Sequence, residues 1–277
     1  MQENDSWYGW PIHPTIMFTA RKVAENPMTA LALSYSPTLR KFAVAADGLS
    51  TAATDPQTID THHQQKIFSF QHKNSSLALA IAGFGRTKTN SFNTVLEATK
   101  QMEMLIKRPF QNGYELAYKF RFNMIKILEN ALREGRVSPF TSSHNSTNKV
   151  PIFIFYVFGY FNHKPFWVTA DVYYDISDQA FSVIPNEPDL RQFQFASTGS
   201  YPIQLMFYGK TPFDSRLADR EYVITESSIP IEAVHKFVET CCLPVAREVD
   251  KWCQGIGGHI HAAEISALSF EWAIPPI

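Results

Sequence analysis

The sequence predicts an α+β fold, because strand-like and helix-like segments come in blocks and do not alternate one by one. Strand patterns occupy residues 30–83, two helical patterns occupy residues 89–133, and strand patterns return from residue 151. A further helical pattern over residues 231–252 precedes the last strands. No repeat of fixed period and no boundary that would split the core is visible, so a single large domain is expected.

The first block begins with an antiparallel hairpin. In ALALSYS, residues 30–36, large and small side chains alternate with the period of two that is typical of a strand. FAVAAD, residues 42–47, alternates in the same way, and the SPTLRK segment between them contains the turn-forming Pro37. A polar loop is expected over residues 50–65, followed by the strands KIFSF and SLALAIAG, the second of which ends at Gly83.

Two helices are predicted next, over residues 89–108 and 114–133, where apolar residues recur at intervals of three and four. PIFIFYVFGYF, HKPFWVTADVYY and QAFSVIP then continue as strands across short turns. Residues 231–252 return to the helical period, with a kink expected near Pro244. HIHAAEISAL and FEWAI are the last predicted strands.

Composition excludes several classes of function. The chain has 277 residues, 45% hydrophobic and 18% charged, with a formal net charge of −1 and no block of lysine or arginine, so no nucleic-acid partner is expected. No apolar run reaches the roughly 18 residues of a membrane span, and the first residues lack the pattern of a secretory signal. Three cysteines, an odd and sparse number, fit a reducing compartment. A soluble cytoplasmic protein without a membrane partner is therefore expected.

Six stretches carry a resemblance to a known family: MTALAL, FAVAADG, QQKIFSF, LALAIAGFG, ASTGS and GIGGHIHAAEIS. In their order and spacing they resemble the proteasome β-subunits and their bacterial relatives, which are N-terminal nucleophile hydrolases. The resemblance covers nearly all of residues 28–272. It implies a four-layer αββα sandwich, in which two antiparallel sheets face each other with helices on both outer faces. Residues 28–277 would form this domain, and residues 1–27 would be an N-terminal extension.

The resemblance also implies a chemistry. In this family a threonine at the mature N-terminus attacks an amide carbonyl through its hydroxyl, and its own α-amino group is the general base. A free α-amine has a pKa of about 7.7–8.0 and is partly neutral near pH 7. Thr29 would be this nucleophile, and it must be the first residue because an internal threonine has an amide nitrogen that cannot take a proton.

Other site residues are carried over by matching motifs. Asp47 matches the acidic residue that holds the catalytic lysine, and Lys66 matches that lysine, which lies beside the threonine hydroxyl. Gly83 matches the glycine whose backbone N–H helps to form the oxyanion hole. Thr198 falls where the family has a serine that hydrogen-bonds near the α-amine.

Two segments depart from the family pattern. The turn of the first hairpin is two or three residues longer than usual, which permits either Met28 or Thr29 at the nucleophile's place. The late motif reads DKWCQGIGG, and a longer loop there would put Asp250 and Cys253 at the acidic and serine positions. A shorter loop would put Cys253 and Ile256 there instead. The longer loop, with Asp250 in the site, is the preferred interpretation.

Residues 1–27 allow three interpretations. Translation starts at Met28, whose removal exposes Thr29; or the extension is a propeptide, although Pro27 and Met28 replace the usual preceding glycine; or the extension is retained. The first two predict a threonine-type hydrolase of peptide or protein substrates, and the third an inactive subunit with a structural, assembly or binding role. A homo-oligomeric ring and an unidentified regulatory partner follow from the resemblance alone, and no cofactor is implied.

Ordinary structural roles compete with each assignment. Asp47 precedes a glycine in a common turn pair, Lys66 suits a strand edge, and Gly83 suits a strand end. His259 and His261 form an H-x-H pattern that a strand would present on one face. No acidic or cysteine ligand has matching spacing, so these are assigned as ordinary strand histidines and no metal is expected.

Overall fold

The structure is a computed structural model that describes residues 29–52, 55–83, 91–138, 148–210, 215–220 and 222–277. The predicted extension at residues 1–27 and the alternative nucleophile position Met28 lie outside the described residues. The boundary between that extension and the domain stays a prediction.

The described residues form strands, α-helices and two short 3₁₀ segments. The strands are β1 (Leu31–Ser36), β2 (Lys41–Ala46), β3 (Ser50–Ala52), β4 (Asp55–Thr61), β5 (Ile67–His72), β6 (Ser75–Gly83), β7 (Lys149–Phe161), β8 (Lys164–Asp175), β9 (Ala180–Asn186), β10 (Gln194–Thr198), β11 (His261–Ile265) and β12 (Phe270–Ile274). The helices are α1 (Thr94–Leu105), α2 (Gly113–Arg133), α3 (Tyr201–Phe207), α4 (Pro230–Cys242) and α5 (Pro244–Val249).

Two five-stranded sheets and a two-stranded ribbon contain the described strands. The first sheet has the order β10-β1-β2-β11-β12, and the second has the order β5-β6-β7-β8-β9. Each pair of neighbouring strands runs antiparallel, which confirms the predicted β1–β2 hairpin. In the ribbon β3 pairs with β4, so the polar loop predicted over residues 50–65 is wrong for residues 50–52 and 55–61.

The two five-stranded sheets face each other across a shared apolar core. Leu33, Phe42 and Val44 of the first sheet belong to the same buried cluster as Tyr156 and Phe158 of the second. The rings of Phe42 and Phe158 are 5.6 Å apart. Alternation along each strand therefore directs one set of side chains toward the partner sheet and the other set outward.

Helices cover parts of both outer faces. Helices α1 and α2 share a buried cluster with β6, β7 and β8, in which Phe120 of α2 contacts Phe155 edge to face. Helices α3 and α4 share a second cluster with β1, β2 and β10, in which Phe237 of α4 contacts Phe195 and Phe207.

The predicted class, an α+β four-layer αββα sandwich, is wrong: two antiparallel five-stranded sheets make up most of the described structure, and helices do not form complete outer layers on them. The described residues are mainly antiparallel β-sheet, with long strands such as β7 and β8. The predicted helix over residues 114–133 is present in full as α2, but the other two helical patterns are not continuous helices over their whole predicted length. Of the pattern at residues 89–108, the structure describes residues 91–108, and within these the helix α1 has 12 residues. The pattern at residues 231–252 divides into α4 and α5 at Pro244. Proline has no N–H to donate to a helical hydrogen bond and disfavours a helical conformation at the residue before it, so α4 ends at Cys242 and Leu243 is extended.

Candidate active site

Lys66 joins the predicted nucleophile to the predicted acid. Its Nζ lies 3.2 Å from the Thr29 Oγ1 and 2.7 Å from the Asp47 Oδ1, and it also donates to the Leu49 carbonyl at 2.9 Å. An ammonium has three N–H donors, and here each one has an acceptor. Only 6% of Lys66 is exposed, so this cation is held inside the protein by a full set of partners.

The carboxylate of Asp47 is fully buried and accepts four hydrogen bonds. Its Oδ1 accepts from Lys66 and from the Ala30 N–H at 3.0 Å; its Oδ2 accepts from the N–H groups of Leu49 at 3.3 Å and Gly257 at 3.1 Å. Burial raises the pKa of the Asp47 carboxyl, while the Lys66 charge and the bonds from Gly257 and Ala30 act in the opposite direction. All four groups donate, which is the arrangement that an ionised carboxylate requires.

The fold brings these residues together from both sheets. Thr29 lies two residues before Leu31, which pairs with Ala46 at the end of the β1–β2 ladder, and Asp47 directly follows β2. The Asp47 N–H also donates to the Ala30 carbonyl at 3.0 Å. Lys66 precedes β5 in the second sheet, so its side chain links the ends of the two sheets. The structure thus brings the Thr29 hydroxyl and the Asp47 carboxylate to the same ammonium, and the catalytic roles of the three residues stay predictions.

Thr198 contacts Thr29 from the neighbouring strand. It ends β10, which pairs with β1, and its Oγ1 donates to the Thr29 carbonyl at 3.0 Å. Two residues further, the buried Ser200 donates from Oγ to the Asp250 Oδ2 at 2.6 Å and caps α3. Asp250 therefore lies next to the segment that holds Thr29. Ser200 was not singled out from the sequence, although it lies in the ASTGS stretch.

The shorter-loop alternative would put Cys253 and Ile256 at the acidic and serine positions of the late motif, without the carboxylate that the longer loop supplies. Cys253 and Ile256 are both buried in the apolar cluster that contains α4, whereas Asp250 accepts a hydrogen bond from Ser200.

Cys241, Cys242 and Cys253 are free thiols. Burial raises the pKa values of Cys241 and Cys242, which disfavours their reactive thiolate form near neutral pH.

Gly83 ends β6 with a φ of +111°, in the region that favours glycine. Ile81, two residues before Gly83 in β6, donates its N–H to the Lys66 carbonyl at 3.0 Å. The end of β6 that contains Gly83 therefore lies beside Lys66. A Cβ at Gly83 would lie 2.5 Å from the Ile152 carbonyl oxygen and 2.7 Å from the Phe153 Cα. Backbone packing alone thus accounts for glycine here, and the oxyanion-hole assignment stays a prediction.

Gly83→Ala is expected to destabilise the fold by about 2–4 kcal/mol, because backbone strain and the clash with β7 add together. The matched control is Gly135→Ala. Gly135 also has a positive φ, +68°, but no atom lies within 4 Å of a Cβ there, so only the strain remains. Chemical unfolding should show a clearly larger loss for Gly83→Ala, and equal losses would contradict this interpretation.

His261 is a site residue that the sequence analysis did not identify. Its Nε2 accepts the backbone N–H of Lys66 at 3.1 Å, and its ring lies against Trp272. Burial, and secondarily the Lys66 charge, lower the pKa of His261 to about 4. The only available signal was the H-x-H pattern, which was assigned to ordinary strand histidines.

The two histidines of that pattern have different environments. His259 precedes β11, where its N–H donates to the His62 carbonyl and its Nε2 contacts the Pro275 carbonyl oxygen at 2.7 Å. The expectation that both share one face of a strand is therefore wrong. Within the described ranges, no group of three or more histidine, cysteine or acidic side chains could hold a metal ion.

Comparison of the sequence with protein-family models and with curated proteins found no match. In the part of the chain that the structure describes, no helix has the length and apolar character needed to span a membrane.

Proposed function

We propose that this chain is a threonine-type amide hydrolase that acts on peptide or protein substrates, with Thr29 as its N-terminal nucleophile. The observation that carries the proposal is the buried Lys66 ammonium, which bridges the Thr29 hydroxyl at 3.2 Å and the Asp47 carboxylate at 2.7 Å. A buried lysine whose three donors are all used is costly to assemble in a core. Here one of its three acceptors is a hydroxyl, the group that this chemistry uses as a nucleophile.

The proposed reaction has two stages. In the first, the neutral α-amine of Thr29 takes the proton from Oγ1, which attacks the substrate carbonyl carbon. The tetrahedral intermediate collapses to an ester on Oγ1, and the leaving amine takes the proton from the α-ammonium. In the second, the α-amine takes a proton from water, the hydroxide adds to the ester carbonyl, and the acid product leaves as Oγ1 regains its proton.

The surrounding residues have separate parts in this proposal. Lys66 stabilises the negative charge that develops on Oγ1, and Asp47 holds Lys66 in place. Thr198 fixes the Thr29 carbonyl, and the Ser200–Asp250 pair fixes the segment that follows Thr198. The Gly83 N–H is proposed to bind the carbonyl oxygen of the intermediate.

Processing, location and assembly belong to the same proposal. Removal of the residues up to Met28 would create the free α-amine that the chemistry requires. A cytoplasmic location and a homo-oligomeric ring are proposed with it, on the composition and on the resemblance to proteasome-like hydrolases.

The alternative is a non-catalytic subunit with a structural, assembly or binding role. It is favoured by the low exposure of Thr29, of which only 4% is accessible. In a chain that retains residues before Thr29, the Lys66–Thr29 contact would only stabilise the fold.

The test compares two chains that differ by one residue, one starting at Met28 with that methionine retained and one starting at Thr29. Each is incubated with an unfolded protein substrate, and the new amino groups are measured. We expect hydrolysis only from the chain that starts at Thr29, because only that chain has the α-amine base. Equal activity of both chains, or no activity from a folded chain that starts at Thr29, would overturn the proposal.

A further inference from the structure

Both backbone groups of Lys66 are anchored. Its N–H donates to the His261 Nε2 at 3.1 Å, and its carbonyl accepts from the Ile81 N–H at 3.0 Å. His261 begins β11, pairs with Ala46 in β2, and is 1% exposed. A side chain of the first sheet therefore holds the backbone from which the Lys66 side chain extends toward Thr29.

This anchor requires a neutral imidazole. A neutral ring has one nitrogen that accepts, whereas both nitrogens donate in the protonated ring. Because Nε2 accepts from Lys66, the hydrogen of the neutral ring is on Nδ1. Protonation would place an N–H opposite the Lys66 N–H and would add a second positive charge close to the Lys66 ammonium.

We propose that His261 is a positioning residue, whose neutral imidazole holds Lys66 between Thr29 and Asp47 and whose protonation releases Lys66 and switches the site off. The inference rests on the proposed function for its catalytic consequence. It adds a residue from β11, and an acid-sensitive step, to the nucleophile and its two charged supports.

The surroundings of His261 set the direction of the effect. The charged and titratable groups near it are Lys66, the Asp47 carboxylate bound to Lys66, and His259; β12 contributes the uncharged Trp272 ring. Burial and Lys66 lower the pKa of His261 from 6.5 to about 4. The unfolded chain takes up the proton near pH 6.5 and the folded chain only near pH 4, so stability falls as the pH falls between these values.

The first test does not depend on catalysis. The backbone amide signal of Lys66 and the ring signal of His261 are followed by NMR while the pH is lowered from 7. We expect both to shift together, with a midpoint well below pH 6, in the unmodified protein and in the His163→Gln control, whose histidine is exposed in the β7–β8 turn. In His261→Gln the Lys66 signal should show no such titration. An unchanged titration in His261→Gln, or a Lys66 signal that ignores the protonation of His261, would overturn the inference.

The second test uses two substitutions at pH 8 in chains that start at Thr29. His261→Gln retains an oxygen that can accept the Lys66 N–H, whereas His261→Phe does not. We expect the kcat of His261→Phe to be at least about tenfold below that of His261→Gln, because a misplaced catalytic group costs rate even when the fold persists. Equal kcat values in two folded variants would contradict the positioning role. A coupled NMR titration without any hydrolysis would instead overturn the proposed function and leave the anchor supported.

Discussion

Replacing Thr29 with alanine, in a chain that starts at this position, is expected to lower kcat/KM for amide hydrolysis by a factor on the order of 10³ or more. Removal of the nucleophile from a covalent hydrolase has an effect of this size or larger. Alanine keeps the α-amine but has no Oγ1, so no ester can form. The measurement is the release of new amino groups from an unfolded protein substrate, with circular dichroism to verify that the variant is folded.

Thr29→Ser is the matched control for this substitution. Serine keeps the hydroxyl that accepts from Lys66 at 3.2 Å and lacks only the methyl group. It should therefore retain most of the activity that Thr29→Ala loses. Unchanged activity in Thr29→Ala would show that the nucleophile is a different group, and equal losses in both variants would show that the hydroxyl is not what matters.

Lys66→Met is expected to reduce the free energy of unfolding by about 3–5 kcal/mol, because it leaves the fully buried Asp47 carboxylate without its counter-charge. For a chain of this size that corresponds to a fall in Tm on the order of 10 °C. Thermal and chemical unfolding measure the effect directly, whether or not the protein is an enzyme.

The matched control for the buried pair is Lys41→Met. Lys41 also donates to a carboxylate, that of Glu264 at 3.2 Å, but both side chains are partly exposed. Its loss should be below about 1 kcal/mol. The double variant Asp47→Asn/Lys66→Met should be more stable than the sum of the two single losses predicts, since it leaves no unpaired charge. Additive losses, or a Lys66→Met loss no larger than that of Lys41→Met, would contradict a coupled buried pair.

Local patterns were sufficient for the first hairpin, which positions part of the candidate site. The alternation in residues 30–47 predicted the β1–β2 hairpin, and this hairpin brings Thr29 and Asp47 to the same end of the first sheet. The motif resemblance then added Lys66 and Thr198, which the structure places within hydrogen-bonding distance of Thr29. For these residues the order of strands along the chain determines which ends meet.

Other features depend on contacts between segments that are distant in sequence. The four-layer class was wrong because it was inferred from a resemblance between short motifs, which does not determine how strands and helices share the rest of the chain. The helical period over residues 231–252 likewise did not show that the helix divides at Pro244. His261 was missed because its role depends on a strand alignment that brings it to Lys66, 195 residues away. Ser200 was missed because its partner, Asp250, is 50 residues away on α5's terminus. Neither pairing can be identified from the spacing of residues along the chain.

The most direct test of the central claim is to locate the group that an electrophilic substrate analogue modifies. A folded chain that starts at Thr29 is treated with a peptide β-lactone, which acylates nucleophiles by ring opening, and the adduct is mapped by peptide mass spectrometry. We expect a single adduct of the full lactone mass on the Thr29 Oγ1, and none in Thr29→Ala. An adduct on any other residue, or no adduct on the folded chain, would contradict the assignment of Thr29 as the nucleophile.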